Sequence, residues 1–362
     1  MKHEKYDPKT HADKSPQAPV REKKKMSRAK KITLTALLSL LGLVVVGFAS
    51  GLIYVNVLLN RLDRSAEALL PGDPSGDEED TLGEEPSPEE AAQIEGNAAG
   101  GSQLPLKSDP DIENILLIGR DIGESKYFSR SDSMIILSLD KKHKKLKMTS
   151  LARDIYISIP GHSNHRLNSA HSYGGPALLI QTIENGFRVK IDRYVSVNFD
   201  TYKSIINILG GVDITLTQVE INAIGASLTQ DGIDTSGGPG LYHLKSNSAL
   251  AYARLRKIDT DRMRNQRQRN VLDAIMKDAR TLSLPEINSL LWKTLPLVKT
   301  DLTNGELIGE MVNLPDYLKW RQEDLQIPAQ GTYRAATIKR MWVYSIDVDA
   351  NARAIGQFIY EE

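Results

Sequence analysis

The chain of 362 residues contains no cysteine, and aromatic residues account for only 6% of it. Without cysteine, neither disulfides nor thiolate chemistry is available to this protein. A dominant charge is also absent, because 46 basic residues balance 46 acidic ones, and this argues against attraction of the whole protein to nucleic acid. The folded part must therefore be stabilised by an ordinary apolar core.

A long apolar run lies near the N-terminus, from Ile32 to Leu59. It holds roughly 28 uncharged residues, whereas about 20 already span a bilayer and a cleaved signal peptide has an apolar core of only about 7 to 15. Basic residues, which are retained in the cytoplasm, crowd its N-terminal side at Lys23, Lys24, Lys25, Arg28, Lys30 and Lys31. We expect a cytoplasmic tail over residues 1–31, a transmembrane helix over 32–59, and the rest of the chain outside the cell.

The composition changes again around residue 110. Residues 60–110 are rich in proline, glycine, serine and acid, with too few large apolar residues for a core, so we expect a disordered linker. Residues 111–362 alternate between strand and helix patterns, which predicts a single α/β domain with a mixed sheet. The predicted strands are Ile115–Ile118, Met134–Leu139, Leu146–Leu151, Ile155–Ile159, Tyr194–Val197, Val212–Leu216 and Met341–Ile346. The predicted helices are Pro176–Asn185, Tyr202–Leu209, Pro285–Trp292, Gly305–Asn313 and one that ends at Tyr360.

Two carboxylates stand at the ends of the first two predicted strands. Asp121 follows the first strand and Asp132 begins the second, so both lie at one sheet edge if these strands are neighbours. Magnesium typically takes one or two carboxylates together with phosphate oxygens, which makes this pair a candidate metal site. Aspartate also commonly caps loops and turns, and that alternative stays open.

Arginine is the other prominent residue type. If the chain is extended at Arg254 and Arg256, their side chains share a face about 6.6 Å apart. Two such charges repel by roughly 2 kcal/mol at an effective dielectric of 20, so they favour a dianionic partner such as pyrophosphate. Asp261, Arg264 and Gln268 have the spacing of one helix face, with Arg267 beside it. A solvated helix with internal ion pairs is the alternative for this face.

The order and spelling of several segments resemble the LytR-CpsA-Psr family of membrane-anchored bacterial wall proteins. These segments are ILLIGRD (115–121), RSDSMIILSLD (130–140), SLARDIYISIPG (150–161), HRLNSAHSYGG (165–175), NFDTYKSIINILGGVDI (198–214), LKSNSALAYARLRK (244–257) and DRMRNQRQRNVL (261–272). Two positions depart from the family pattern. Ala152 stands where a proline is usual, and Arg120 stands where a small serine or threonine is usual.

The resemblance implies a three-layer α/β/α fold with a central mixed sheet, an apolar groove for a polyprenyl chain and a polar mouth that holds pyrophosphate with Mg²⁺. By position in the matching segments, it implies pyrophosphate contacts from Arg130, Arg153, Arg254, Arg256, Arg264, Arg267 and Gln268, and metal contacts from Asp121 and Asp132. For the dipeptide Arg153–Asp154, a structural ion pair is the alternative. Asp154 and Asp261 are both candidates for the general base, and each could instead hold an arginine in place.

The implied activity is Mg²⁺-dependent phosphoryl transfer that moves an anionic glycopolymer from a polyprenyl pyrophosphate carrier to peptidoglycan, with Arg153, Arg254, Arg256 and Asp261 as catalytic residues. A polyprenyl pyrophosphate hydrolase and a non-catalytic polymer-binding or regulatory protein are the alternatives. A tail of about 31 residues is too short for an independent DNA-binding domain. His162, His165 and His171 match no standard zinc spacing, and we expect them to be solvated.

Overall fold

A computed structural model describes residues 54–62, 86–120, 128–255, 258–259, 261–317 and 319–361. The part from Val55 to Glu362 forms one compact unit. None of the described helices is long and apolar enough to cross a bilayer. The predicted span over 32–59 is wrong at its C-terminal end, because Leu58 and Leu59 are buried in the folded unit. Its residues up to 53 lie outside the described part of the chain, so the transmembrane helix stays a prediction.

Strands occur throughout the described unit. They are β1 (Ile112–Arg120), β2 (Ser131–Asp140), β3 (Lys145–Leu151), β4 (Ile155–Ile157), β5 (His165–Arg166), β6 (Arg193–Asn198), β7 (Val212–Leu216), β8 (Gly240–Leu244), β9 (Lys299–Thr300), β10 (Arg321–Ile327), β11 (Tyr333–Ile338) and β12 (Met341–Ile346). The largest sheet has the order β10-β3-β2-β1-β6-β9, and a smaller one has the order β11-β12-β4-β5. In the large sheet β2 is antiparallel to β1 and β3, whereas β6 and β10 are parallel to their neighbours β1 and β3. The predicted mixed sheet is confirmed.

Helices cover both faces of this sheet. They are α1 (Pro88–Ala99), α2 (Ser169–Phe187), α3 (Phe199–Leu209), α4 (Gln218–Gln230), α5 (Ser246–Arg254), α6 (Asp261–Ala279), α7 (Leu284–Thr294), α8 (Asn304–Tyr317) and α9 (Val348–Tyr360). Alternation along β1 sends Leu116 into the core with α2 and α9, and sends Ile115 towards Tyr317 at the end of α8. A second core joins α3, α4, α5 and α6 to the antiparallel pair β7–β8.

Helix α2 contains a break that positions its second half. Gly174 and Gly175 leave helical geometry, and the helix resumes at Pro176, where the sequence predicted a start. Gly175 has φ of 62°, and a Cβ there would lie 2.5 Å from the ring of Phe128. This position therefore requires glycine both for its backbone angle and for the close approach of Phe128.

The prediction of a disordered linker over residues 60–110 is wrong for its second half. Helix α1 begins with a capping box between Ser87 and Glu90. Its Ile94 packs with Val343 of β12, and the Tyr156 hydroxyl donates to Glu95 Oε1 at 2.8 Å. Composition missed this helix because a single buried isoleucine suffices when the partner surface comes from a distant part of the chain. The folded unit thus begins before residue 111.

A buried lysine links the C-terminal helix to the central sheet through hydrogen bonds. Lys147 of β3 is fully buried, and its Nζ donates to Asp140 Oδ2 at 2.7 Å and to the Ile359 carbonyl at 2.7 Å. The same nitrogen lies 2.9 Å from Glu361 Oε1. A buried ammonium is tolerated only when its donors are paired in this way, and the pairing ties α9 to β2 and β3.

We expect Lys147→Met to lower the free energy of unfolding by about 3 to 5 kcal/mol, because it leaves the buried Asp140 carboxylate without its ammonium. Urea denaturation followed by circular dichroism measures this loss. Lys142→Met, at an exposed hairpin position, is the matched control and should change stability little. Equal stability of the two variants would contradict the proposed link.

The contact between Lys147 and the Glu361 carboxylate makes the stability of the fold depend on pH. Hydrogen bonds from Lys145 and then Lys147 lower the pKa of Glu361 from 4.5 to about 2. Near pH 4.5 the Glu361 carboxylate therefore binds a proton in the unfolded chain but stays ionised in the folded one. As a result, the free energy of unfolding falls as the pH drops from 4.5 towards 2. We expect the urea concentration at half-unfolding to fall less steeply between pH 4.5 and 2 in Glu361→Gln than in the unmodified protein. An equally steep fall in both proteins would contradict the role assigned to Glu361.

Candidate active site

Several strand ends meet at one edge of the central sheet. Arg120, which ends β1, pairs with Ser131 at the start of β2 and with Asn198 at the end of β6. Leu151, which ends β3, pairs with Ile327 at the end of β10. The condition set for the two carboxylates is met, because β1 and β2 are neighbours. Asp132 therefore lies at this edge, whereas Asp121 lies outside the described residues.

Four charged side chains of alternating sign form a chain of contacts at this edge. Arg153 Nη1 donates to Asp132 Oδ1 at 3.3 Å, and Arg153 Nε donates to Asp154 Oδ2 at 3.2 Å. Arg166 Nε lies 3.6 Å from Asp154 Oδ1. Asp132 keeps 29% of its side chain exposed, whereas the other three are buried. The ion pair that the sequence allowed between Arg153 and Asp154 is therefore present, and it is part of a larger network.

The position of Asp154 distinguishes between its two possible roles. Its carboxylate is buried between the guanidinium groups of Arg153 and Arg166. A general base must come within hydrogen-bond reach of the proton that it removes. The geometry therefore favours a role in orienting Arg153. The side chain of the other candidate, Asp261, lies outside the description.

Arg254 reaches the same region from a helix end. It is the last residue of α5, and its Cζ lies 4.3 Å from the ring centroid of Phe199, which follows directly after β6. This cation–π contact holds an exposed guanidinium near the end of β6. The assumption of an extended chain at Arg254 is wrong, because extended geometry begins only at Leu255. Arg256 lies outside the described residues.

The predicted helical face beyond residue 261 is confirmed as α6, but it is not solvated. Arg264 and Arg267 are both buried. Arg267 Nε donates to Glu220 Oε1 at 2.8 Å and its Nη1 donates to the Leu255 carbonyl at 3.0 Å, and the guanidinium also contacts Asp259. Burial opposes the charge, yet the hydrogen bonds that the guanidinium donates to Asp259 and Glu220 raise the pKa of Arg267.

These contacts correct the expectation for Arg267. Its guanidinium donates hydrogen bonds to two carboxylates and a carbonyl. It thereby links the segment between α5 and α6 to α4 and positions the end of α5, which carries Arg254.

Arg264 lies one turn earlier on α6, and Gln268 is half-buried on the same helix. Arg130 is half-buried and directly precedes β2 at the sheet edge. Their contacts with pyrophosphate stay predictions.

Three polar residues near this edge were missed by the site prediction: Arg166, Asn168 and His171. Asn168 is fully buried at the start of α2. Burial, with a smaller contribution from Arg120, lowers the pKa of His171 to about 4, although its Nδ1 lies 2.6 Å from the Ser129 carbonyl. The expectation of solvated histidines is therefore wrong for His171. All three lie in the segment HRLNSAHSYGG (165–175). The resemblance of this segment to the family was the one signal that could have indicated a role for them in the site.

Carboxylates that could bind a divalent cation lie at two places in the described part of the chain. Asp132 offers a partly exposed carboxylate beside a fixed arginine, which suits a cation shared with phosphate oxygens. Asp140, His143 and Glu361 also have ligand atoms within 4.8 Å of one another. There, however, the Lys147 ammonium lies 2.7 Å from Asp140 and already neutralises the acids. We therefore assign no metal to that cluster.

Comparisons with known proteins identify relatives of this chain. A model of the LytR_cpsA_psr family matches residues 77–354. The polyisoprenyl-teichoic acid–peptidoglycan teichoic acid transferase TagU of Bacillus anthracis is 35% identical over 245 residues, which cover 66% of this chain and 75% of TagU. The solved structure of TagT bound to LI-WTA has a TM-score of 0.58 and 25% identity, with 72% of this chain and 97% of that chain covered. TagT with bound octaprenyl pyrophosphate lipid shares the fold, with a TM-score of 0.55 and 24% identity.

The contact between Asp154 and Arg153 has a measurable consequence. We expect Asp154→Asn to weaken binding of inorganic pyrophosphate about 10- to 100-fold, because Arg153 loses a charge-assisted hydrogen bond that orients it. Isothermal titration calorimetry measures the change. Asp213→Asn, on a β7 carboxylate that pairs with the exposed His243, is the control and should leave affinity unchanged. Unaltered binding by the Asp154 variant would remove its orienting role.

Proposed function

Because the chain belongs to the LytR-CpsA-Psr family, we propose that it is a membrane-anchored phosphotransferase of the bacterial cell wall. It moves an anionic glycopolymer from a polyprenyl pyrophosphate carrier onto peptidoglycan. The similarity to the transferase TagU and to TagT bound to LI-WTA supports a polymer of the teichoic acid type over a capsule polymer.

The observation that carries this proposal is the network of Asp132, Arg153, Asp154 and Arg166 at the sheet edge. Phosphoryl transfer needs little covalent chemistry from a protein, and it depends on positioned charges that stabilise the phosphate oxygens. Arg153 is such a charge, held by two carboxylates, and Arg254 is a second one, held on Phe199. The lack of an obvious serine or histidine nucleophile is thus no objection.

In the proposed reaction, a hydroxyl of peptidoglycan attacks the phosphorus atom on the polymer side of the pyrophosphate. A new bond forms between that oxygen and phosphorus, and the bond to the bridging oxygen breaks. Polyprenyl phosphate leaves with the electron pair. The hydroxyl proton passes to a base, for which we propose Asp261, since Asp154 is buried between two arginines.

We also propose that the reaction uses Mg²⁺, held by Asp132 and Asp121. When bound, the ion would neutralise charge on the phosphate oxygens. The remaining charge would be balanced by the protein's own arginines: Arg153, Arg254 and, as expected from the family resemblance, Arg130, Arg256 and Arg264. Asp132 would then have two functions, because its Oδ1 also accepts from Arg153.

The proposed location follows from the apolar run and the basic tail before it. A single helix formed by the part of the apolar run that precedes Val55 would anchor the protein, with the tail in the cytoplasm and the catalytic domain outside. This location supports the proposed reaction, because it brings the domain to the surface where a polyprenyl-linked donor is embedded and where peptidoglycan lies.

The proposed function is tested with the full chain in detergent micelles, a synthetic polyprenyl pyrophosphate glycan, Mg²⁺ and peptidoglycan oligomers. Mass spectrometry should detect a peptidoglycan oligomer joined to the glycan by a phosphodiester, and removal of divalent ions with EDTA should abolish it. Release of free glycan phosphate at the same rate with and without the acceptor would instead identify a hydrolase. Tight donor binding without either product would identify a binding protein.

Within the same assay, we expect Arg153→Ala to lower turnover by about 100-fold or more, as removal of one positioned transition-state donor does elsewhere. Arg353→Ala, at an exposed position on α9, is the matched control and should retain full activity. Thermal unfolding of both variants separates lost catalysis from lost folding. Full activity of a folded Arg153 variant would refute the role of this side chain.

A further inference from the structure

We propose that the surface formed by residues 55–62, α7 and α8 lies against the lipid bilayer, so that the domain rests on the membrane surface. We call this surface the docking face. The proposal rests on the membrane anchoring proposed above, and it goes further, because an anchored domain could equally extend away from the bilayer on a flexible tether.

Residues 55–62 are an integral part of the folded unit. Leu58, Leu59 and Leu62 are buried, and they pack with Leu295 in one apolar cluster. Partly buried side chains of α7 and α8 complete this cluster, namely Leu291, Leu307, Ile308 and Met311. The chain therefore joins the domain at the point where the apolar run of the sequence ends.

The apolar surface continues beyond the part that residues 55–62 cover. Val312 of α8 is 73% exposed and Trp292 of α7 is 44% exposed. The same helices and their immediate neighbours expose further large apolar side chains at Val57, Leu297 and Leu314. Along α8, Val312 follows the packed Ile308 by four positions, so it continues the same helical stripe into solvent. Several exposed large apolar side chains on adjoining segments indicate an interaction surface in this part of the unit.

Arg61 and Trp292 identify the partner as a membrane. Arg61 Nη1 donates to the Trp292 carbonyl at 2.8 Å, and its Cζ lies 4.0 Å from the centroid of the Trp292 ring. Arg61 is also the first charged residue after the apolar run that starts at Ile32. Tryptophan and arginine are typical of the boundary between lipid and water, where an apolar body meets a polar end. Trp292 is thus fixed at the level where the predicted span leaves the lipid.

The packing of α1 shows that the acidic stretch between residue 62 and α1 is not a spacer between the membrane and the domain. The chain packs on the unit before this stretch, through Leu58 and Leu59, and again after it, through Ile94. Since both flanks belong to the same unit, the length of the stretch does not set the distance between the membrane and the domain. The earlier expectation of a flexible linker between the two is therefore replaced by direct contact.

Fluorescence of the chain's three tryptophans tests the docking face. The full chain is reconstituted into phosphatidylcholine vesicles whose acyl chains carry bromine near the headgroups. A Trp320→Phe, Trp342→Phe variant retains Trp292, and a Trp292→Phe, Trp320→Phe variant retains Trp342, which packs on Tyr344. We expect the bromolipid to quench Trp292, since a docked apolar face enters about 5 to 10 Å into the boundary layer, and to leave Trp342 unquenched.

A pair of charge substitutions identifies the surface. In the variant that retains Trp292, Val312→Glu together with Leu314→Glu should abolish the quenching. Val219→Glu, at a valine of α4 that is 56% exposed, should leave it unchanged. Trp342 emission in the corresponding background reports whether each variant is folded. Persistent quenching in the folded double variant would overturn the assignment of this face.

Other outcomes separate this proposal from the ones on which it rests. Unquenched Trp292 in vesicles that carry out glycopolymer transfer would overturn docking and leave the proposed function intact. Concentration-dependent cross-linking through position 312, without quenching, would show that a second copy of the chain covers the face, and this also overturns the proposal. A chain that does not float with the vesicles would overturn anchoring and docking together.

Discussion

The buried carboxylate of Asp154 is the interaction on which the candidate site depends. It lies between Arg153 and Arg166, and none of these charges would be tolerated at that depth without the others. The backbone of the same residue joins the two sheets, because the Tyr344 amide donates to the Asp154 carbonyl at 2.8 Å. The short segment between β3 and β4 therefore connects the sheets and orients the arginine, and the geometry of the site follows from the way in which the fold is assembled.

Much of the central sheet could be predicted, because β1 and β2 carry continuous apolar runs and β3 has apolar residues at Leu146, Met148 and Leu151. Strand β10 was missed, since its sequence RQEDLQI is largely polar and it becomes a strand by pairing with β3, more than 100 residues earlier in the chain. Helix α1 was missed for a related reason, because its partner surface on β12 lies near the C-terminus. Local patterns predict elements that have their own apolar face, and they fail where a distant partner supplies the stabilisation.

The candidate site was predictable to a similar extent. The sequence placed Asp132 at a shared sheet edge on the condition that β1 and β2 are neighbours, and the pairing of these strands meets that condition. Periodicity also predicted α6, but it could not show that this arginine-rich face is buried. The burial of Arg267 depends on Glu220, 47 positions away, and on the course of the chain around Leu255. The buried His171 has no signal in its spacing at all.

The two arginines held at the sheet edge differ in their exposure to solvent ions. Arg153 is buried and its charge is compensated by carboxylates on either side, whereas Arg254 is exposed over an aromatic ring. Dissolved salt screens exposed charges over about 8 Å at physiological ionic strength and affects buried pairs much less. Under the proposed function, the ionic strength of the surrounding solution would therefore govern how readily Arg254 attracts an anionic substrate, while the orientation of Arg153 would remain the same whatever the salt.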